Sequence, residues 1–201
     1  MPKPSLRDRL LDAGLKVMFR RGYTGAAVRD IAAEAGAPQG SFTNHFRSKE
    51  AFAGEVLDRY FDHVRGLVRE ALDDPALTPR ARLRRYLDLI TGRLAAEGWE
   101  RGCLIGDLSL EAPGHSEALR ARLAAIFTEW RAPFAACIAE GQATGEIAAD
   151  FAAEELAEFL LASWQGAILR MKVDRDPAPL ERFKAIAFAT VFGEIRDDRS
   201  N

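Results

Sequence analysis

Two cysteines and three histidines are few for 201 residues, and these scarcities exclude several classes of protein at once. Two cysteines cannot build a disulfide framework, so the chain is expected to be reduced and cytoplasmic. His45, His63 and His115 are scattered and no C-x-x-C pair exists, so no metal site is readable and no cofactor is implied. No apolar run approaches the ~18 residues of a membrane span. The opening MPKPSLRDRL has no apolar stretch behind its basic residues, so a secretory leader is not expected. Strand-like alternation, internal repeats and low-complexity segments are also missing. What remains is 48% hydrophobic and 29% charged, which excludes wholesale disorder and suits one generous domain or two small ones.

The net charge of −2 is unevenly spread. Residues 1–50 hold nine Lys/Arg against five Asp/Glu, and the rest hold nineteen against twenty-five. A basic head on an acidic body suits a protein that presents one end to a polyanion. Gly/Pro punctuation separates stretches rich in Ala, Leu, Arg and Glu, which predicts an all-α chain of about nine helices. Ser5 with Asp8 resembles a capping box, and Leu6, Leu10, Ala13 and Val17 keep one face apolar until Gly22 stops the helix. Short helices are expected over about 26–34 and 38–45 around a turn at Gly36. Ser48 then caps a long helix with Ala51, Val56, Tyr60, Val64 and Leu67 among its inward candidates. Pro79 starts the next, to about Gly98, and a short helix follows near 106–111. A helix over about 116–141 should kink before Pro133. Asp150 is expected to cap a helix to about Lys172, and Pro179 to open a last one to about Arg196.

Residues 23–49, YTGAAVRDIAAEAGAPQGSFTNHFRSK, carry the chemistry. Two short helices joined by a glycine-containing turn form a helix-turn-helix. Val28, Ile31 and Ala32 give it a small core, and Gly36 supplies the positive φ of the turn. The second helix is too short and polar to be core. Gln39, Gly40, Ser41, Thr43, Asn44 and His45 form an exposed side able to reach base edges and phosphates in a major groove. Arg29, Arg47 and Lys49 can neutralise flanking phosphates.

These residues resemble the TetR family of one-component bacterial regulators. The matching positions are Gly22-Tyr23, Val28-Arg29-Asp30-Ile31-Ala32, Ala35-Gly36, Gly40-Ser41-Phe42 and His45-Phe46-Arg47-Ser48-Lys49-Glu50. The chain departs from the family pattern at Ala27, usually a hydroxyl residue, and at Thr43, usually tyrosine. The resemblance implies a three-helix DNA-binding head over 1–49 and a helical bundle over 50–201 that senses a ligand and dimerises. It also implies a homodimer on a palindromic operator, a small-molecule inducer, no enzymatic role and no membrane association. The helices at about 150–172 and 179–196 are the natural dimer surface, with Phe151, Leu156, Phe159, Leu160 and Ile168, then Phe183, Ile186, Phe188, Val191 and Phe192.

A second element is more particular. Arg101-Gly-Cys-Leu-Ile-Gly-Asp-Leu-Ser-Leu-Glu111 and Trp164-Gln-Gly-Ala-Ile-Leu-Arg-Met-Lys172, with Pro179-Leu180, resemble segments of TetR members that respond to electrophiles or to unsaturated acids such as acrylate. In the N-ethylmaleimide-responsive relatives a cysteine at the position of Cys103 is the sensor, with a lysine at the position of Lys172 nearby. Many relatives carry asparagine where this chain has Asp107. A thiol beside an ammonium or a helix N-terminus is acidified and reactive, so Cys103 is expected to be modified or contacted by the inducer, the alternative being an inert small hydrophobe that only packs. A purely non-covalent apolar ligand is the alternative. Trp130 and Trp164, with Trp99, Phe127 and Tyr86, are pocket or core residues, Cys137 is core, and Arg170 is placed on the surface. A thiol-dependent transferase would need a base paired with Cys103, and no histidine is placed for it.

Overall fold

The computed structural model describes residues 4–193. Among the described residues the regular structure is nine α-helices and one 3-10 turn, with no strand. The helices are α1 (Leu6–Gly25), α2 (Val28–Glu34), α3 (Ser41–His45), α4 (Lys49–Leu72) and α5 (Pro79–Ala96), then α6 (Leu104–Glu111), α7 (Glu117–Ala143), α8 (Ala153–Asp174) and α9 (Ala178–Ala189), with the 3-10 turn at Ala112–Gly114. No helix is long and apolar enough to cross a membrane, again among the described residues.

Most boundaries follow local chemistry. The Ser5 hydroxyl accepts the Asp8 N–H at 3.1 Å and starts α1, and Gly22 (φ 68°, ψ −173°) interrupts it. The Ser48 hydroxyl accepts the Ala51 N–H at 3.0 Å and starts α4, and Pro79 is the first residue of α5. Four expectations are corrected. Helix α6 begins at Leu104 rather than near 106, because Leu104, Ile105 and Leu108 are all fully buried and draw the first turn into the core. Gly141 does not end α7: a Cβ there would lie 2.6 Å from Ile147 Cδ1, so the glycine serves close packing, and the chain turns later, at Gly145 (φ 75°). Asp150 does not cap α8; the Glu155 carboxylate reaches back to accept the Ala152 N–H at 3.0 Å instead. Helix α9 ends at Ala189, whereas the expected end near Arg196 lies outside the described residues. Helix α7 runs on through Pro133.

The chain divides into two compact units. The first holds residues up to Val64 together with Cys103–Ile126. Its core gathers Leu10, Val17 and Met18 of α1, Ile31 of α2, Phe42 of α3, Phe52, Leu57 and Phe61 of α4, and Leu104 and Leu108 of α6. Gly14 lets α4 approach α1 closely, since a Cβ there would meet Phe52 Cε1 at 2.6 Å.

The second unit holds Arg65–Gly102 and residues from Phe127 onward. Here α9 packs on α8 and α5 around Leu83, Tyr86, Leu160, Trp164, Leu180 and Phe188. Tyr86 meets Phe134 edge-on at 4.8 Å. A buried ammonium, Lys184, ties α9 to α5 through Asp88 at 2.8 Å and is also held by Glu181 at 2.7 Å. The apolar residues expected on the last two helices divide by role: Leu156, Leu160, Ile168, Phe188 and Phe192 are buried, whereas Phe151, Phe159 and Ile186 are exposed.

Candidate nucleic-acid interface

The proposed reading helix is only five residues long, so packing rather than propensity must hold it. Its anchor is Phe42, buried to 2% exposure against Phe46 (centroids 5.3 Å) and Phe52 (5.0 Å). Phe46 and Phe52 meet edge-on at 4.7 Å, which closes a three-ring cluster beneath α3. Such pairs contribute about 0.5–1.5 kcal/mol each beyond burial. With Phe42 fixed inward, the 3.6-residue period turns Thr43, Asn44 and His45 to solvent, and all three are exposed. Gln39 and Gly40 are exposed ahead of them, and Ser41 is half-buried. The Thr43 hydroxyl donates to the Gly40 carbonyl at 2.9 Å, which leaves its oxygen lone pairs for an outside donor. A Cβ at Gly40 would meet nothing within 4 Å, so the approach to the start of α3 is open.

The turn into α3 uses Gly36 at φ 60°, with the Ala37 N–H donating back to the Ala32 carbonyl at 2.9 Å. Helix α2 lacks a side-chain cap because Ala27 stands at its N-cap. It is pinned to α1 by ion pairs, Arg21 to Asp30 and Arg20 to Glu34 (2.6 Å). The Arg20 guanidinium holds the Glu34 carboxyl below the usual carboxylate range. Arg29 and Arg47 are exposed at the flanks of α2 and α3, with Arg29 Nε 3.7 Å from Asp30. The nine expected DNA-facing residues thus lie in one unit, on α2, α3, the adjoining turns and the first residue of α4, with seven of them exposed.

Lys49 differs from the other cations. It is half-buried at the start of α4, donates to the Thr24 carbonyl at 3.1 Å, and lies 4.8 Å from the centre of the Tyr23 ring. Burial pushes its ammonium below the ordinary lysine range, and Glu111 opposes that shift. Glu111, at the C-terminal end of α6, accepts the Tyr23 N–H and, at 3.4 Å, the Thr24 N–H. Burial and the neighbouring Glu50 raise the Tyr23 phenol. Glu50 in turn accepts from the Ser116 hydroxyl, whose oxygen takes the Leu119 N–H at 3.1 Å in the first turn of α7. Sequence reasoning missed Glu111 as a partner of the head. Its only signal was its place at the end of the Gly-Cys-Leu…Glu element, which pointed to ligand sensing.

The expected sensor residues divide between the units. Cys103 belongs to the first, buried at the N-cap of α6, and Asp107 is half-buried one turn on. Trp130, Trp164 and Lys172 belong to the second. Trp130 is buried and stacks near Phe127 (6.3 Å), and Lys172 is half-buried near the end of α8. Trp164 is fully buried, 5.5 Å from the Phe183 ring, and its indole N–H has no hydrogen-bond partner among the described residues. Cys137 is core: burial pushes its thiol up to about 11, and it donates to the Pro79 carbonyl at 3.4 Å. Arg170 is exposed and paired with Asp174 at 3.0 Å.

Fold and site together define a helix-turn-helix protein of the transcriptional-regulator class. Residues 10–56 match the model for bacterial regulatory proteins of the tetR family, and residues 79–187 match a tetracyclin repressor-like C-terminal domain. The chain is 45% identical to the HTH-type transcriptional repressor DhaR of Mycobacterium sp. (strain GP1) over 94% of its length and 93% of that protein. It is 36% identical to the transcriptional regulator AcuR of Cereibacter sphaeroides, over 87% and 80% respectively. It is 30% identical to the repressor NemR of Escherichia coli K12, over 87% and 88%. Its fold matches that of a cysteine mutant of the regulator CifR bound to 26-base-pair operator DNA, with a TM-score of 0.77 and 30% identity, over 95% of this chain and 98% of that one. The chain belongs to the TetR family, whose members bind operator DNA as homodimers and answer to small molecules.

Proposed function

We propose that this chain is a cytoplasmic repressor that binds a palindromic operator as a homodimer and is released by a small inducer. Residues 1–49 read the DNA, and residues 50–201 sense the ligand and dimerise. The observation that carries this reading is the polar face of α3, held outward by the buried Phe42–Phe46–Phe52 cluster. Arg29 and Arg47 take phosphates, and Gln39, Gly40, Ser41, Thr43, Asn44 and His45 address bases and backbone. The dimer forms through α8. Phe159, Ala162, Gly166, Leu169 and Val173 are all exposed at alternating spacings of three and four, the seam pattern of paired helices.

The inducer is an electrophile or a small unsaturated acid acting at Cys103. Supporting this, Cys103 stands at the N-cap position of α6, and the far end of that helix holds the Tyr23–Thr24 turn through Glu111. A strain introduced at one end of so short a helix reaches the head within about 12 Å. Lys172 and Trp130 are assigned to ligand binding in the second unit. A non-covalent ligand is the second reading, favoured by the orphaned indole N–H of Trp164, which an acceptor on a bound molecule would satisfy.

The test is fluorescence anisotropy on a duplex from upstream of the protein's own gene, with and without acrylate or N-ethylmaleimide, for wild type and Cys103→Ser. Release of wild type alone supports sensing through the thiol. Release of both assigns the ligand to the non-covalent site, and no sequence-specific binding by wild type overturns the operator reading.

A further inference from the structure

Lys49 reads in the sequence as a phosphate ligand, yet its surroundings give it a different task. The interruption of α1 at Gly22 leaves the N–H groups of Tyr23 and Thr24 without the partners that an unbroken helix would give. One carboxylate, Glu111 from α6, accepts both. Position 22 has no side chain, and the Glu111 carboxyl occupies that space: a Cβ there would lie 2.9 Å from its carboxyl carbon. Lys49 closes the arrangement from the α4 side. Its ammonium binds the Thr24 carbonyl, covers the Tyr23 ring, and feels the field of Glu111. The same three-residue turn is therefore held by its N–H groups from α6 and by its carbonyl and ring from α4.

We propose that Glu111 and Lys49 are positioning residues that together fix the angle at which the Gly22–Thr24 turn delivers α2 and α3 to DNA, with Lys49 acting through this joint and not on a phosphate. This rests on the operator-binding reading above, but the joint exists in the free protein and can be measured there. A carboxylate suits the task because two convergent N–H donors are met by its two oxygens, with charge-assisted bonds stronger than neutral ones. A lysine suits the other side because its flexible stem can cover the aromatic ring while one of its three N–H donors takes the carbonyl.

Two measurements decide it. In the free protein, amide hydrogen exchange at Tyr23 and Thr24 should rise about tenfold or more in Glu111→Leu and less in Glu111→Gln, which keeps one acceptor oxygen. Unchanged exchange in Glu111→Leu overturns the joint, and the glutamine variant serves the same comparison if the leucine variant does not fold. On the upstream duplex, Lys49→Met should bind about tenfold more weakly with the slope of log K against log salt unchanged. A slope reduced by about one for each protomer marks a lost phosphate contact and overturns the assignment of Lys49. The Arg47→Met variant supplies the reference, with a reduced slope. Failure of wild type to bind the duplex would count against the operator reading alone, because the exchange result still decides the joint.

Discussion

Replacing Gly22 by alanine tests the packing logic of the head with a single methyl group. Two costs add at this position. The backbone at φ 68° and ψ −173° belongs to a region that only glycine occupies readily, which costs roughly 1–3 kcal/mol for any other residue. The new methyl also falls on the Glu111 carboxyl, which must withdraw and leave the Tyr23 N–H unsatisfied, for a further ~1–3 kcal/mol. A midpoint sum of about 4 kcal/mol corresponds to a fall of roughly 8–16 °C in the melting temperature of a chain this size. Gly36→Ala is the internal control. That glycine also has positive φ (60°), but a Cβ would meet nothing within 4 Å, so only a backbone cost of about 1–2 kcal/mol applies. Urea unfolding of both variants, each in the wild-type and Glu111→Ala backgrounds, separates the terms. Gly22→Ala should be the costlier by about 1–3 kcal/mol, and most of that excess should disappear once Glu111 is removed, leaving only the small difference between the two backbone costs. Equal costs for the two glycines, or an excess that Glu111→Ala does not reduce, would refute the reasoning.

Other outcomes follow from the same structure. Gly14→Ala drives a methyl into the Phe52 ring and should destabilise by about 1–3 kcal/mol in thermal unfolding, since the fully buried ring has little room to retreat. Val173→Glu, on the exposed seam of α8, should convert the dimer to monomer in analytical ultracentrifugation and weaken operator binding while the helical signal in circular dichroism persists. The Cys137 thiol is raised on folding, so its contribution is complete below the unfolded value near 9 and is lost as pH climbs toward about 11; Cys137→Ala should flatten that alkaline decline in stability. Lys184→Ala should cost about 1–3 kcal/mol in urea unfolding, chiefly by removing the buried lysine stem since Asp88 and Glu181 are half-exposed, whereas Lys184→Met should restore most of the loss.

Local chemistry was legible in the sequence, and long-range partnership was not. Ser5, Ser48 and Pro79 each mark a helix start within their own few residues, so their positions followed from capping rules. The apolar face of α1 was equally plain, with Leu10, Ala13 and Val17 buried as their spacing requires. Helix α4 was legible in part: Val56, Val64 and Leu67 are buried as expected, Ala51 and Tyr60 are half-buried, and Phe52, Leu57 and Phe61 are buried beside them. A helix covered on more than one side shows no single stripe, and which neighbours cover it is not a local property. The exposed face of α3 could be read because one aromatic at its centre fixes the orientation of all its neighbours. Glu111 could not, because its partners lie 88 and 87 residues away and its own segment suggested a different chemistry. The missed start of α6 has the same origin, since burial of Leu104 and Ile105 is decided by elements distant in the chain.

The first compact unit is assembled from two stretches of chain separated by thirty-eight residues of the other unit. For an engineer this redraws the part to be exchanged. A chimaera that grafts the opening fifty residues onto a foreign sensor brings α3 but leaves behind the carboxylate that holds the Tyr23–Thr24 turn and the serine bonded to Glu50. If α3 reads the operator as proposed, transferring its specificity calls for two inserts, the N-terminal stretch and the segment from Cys103 to Ile126, moved as a matched pair.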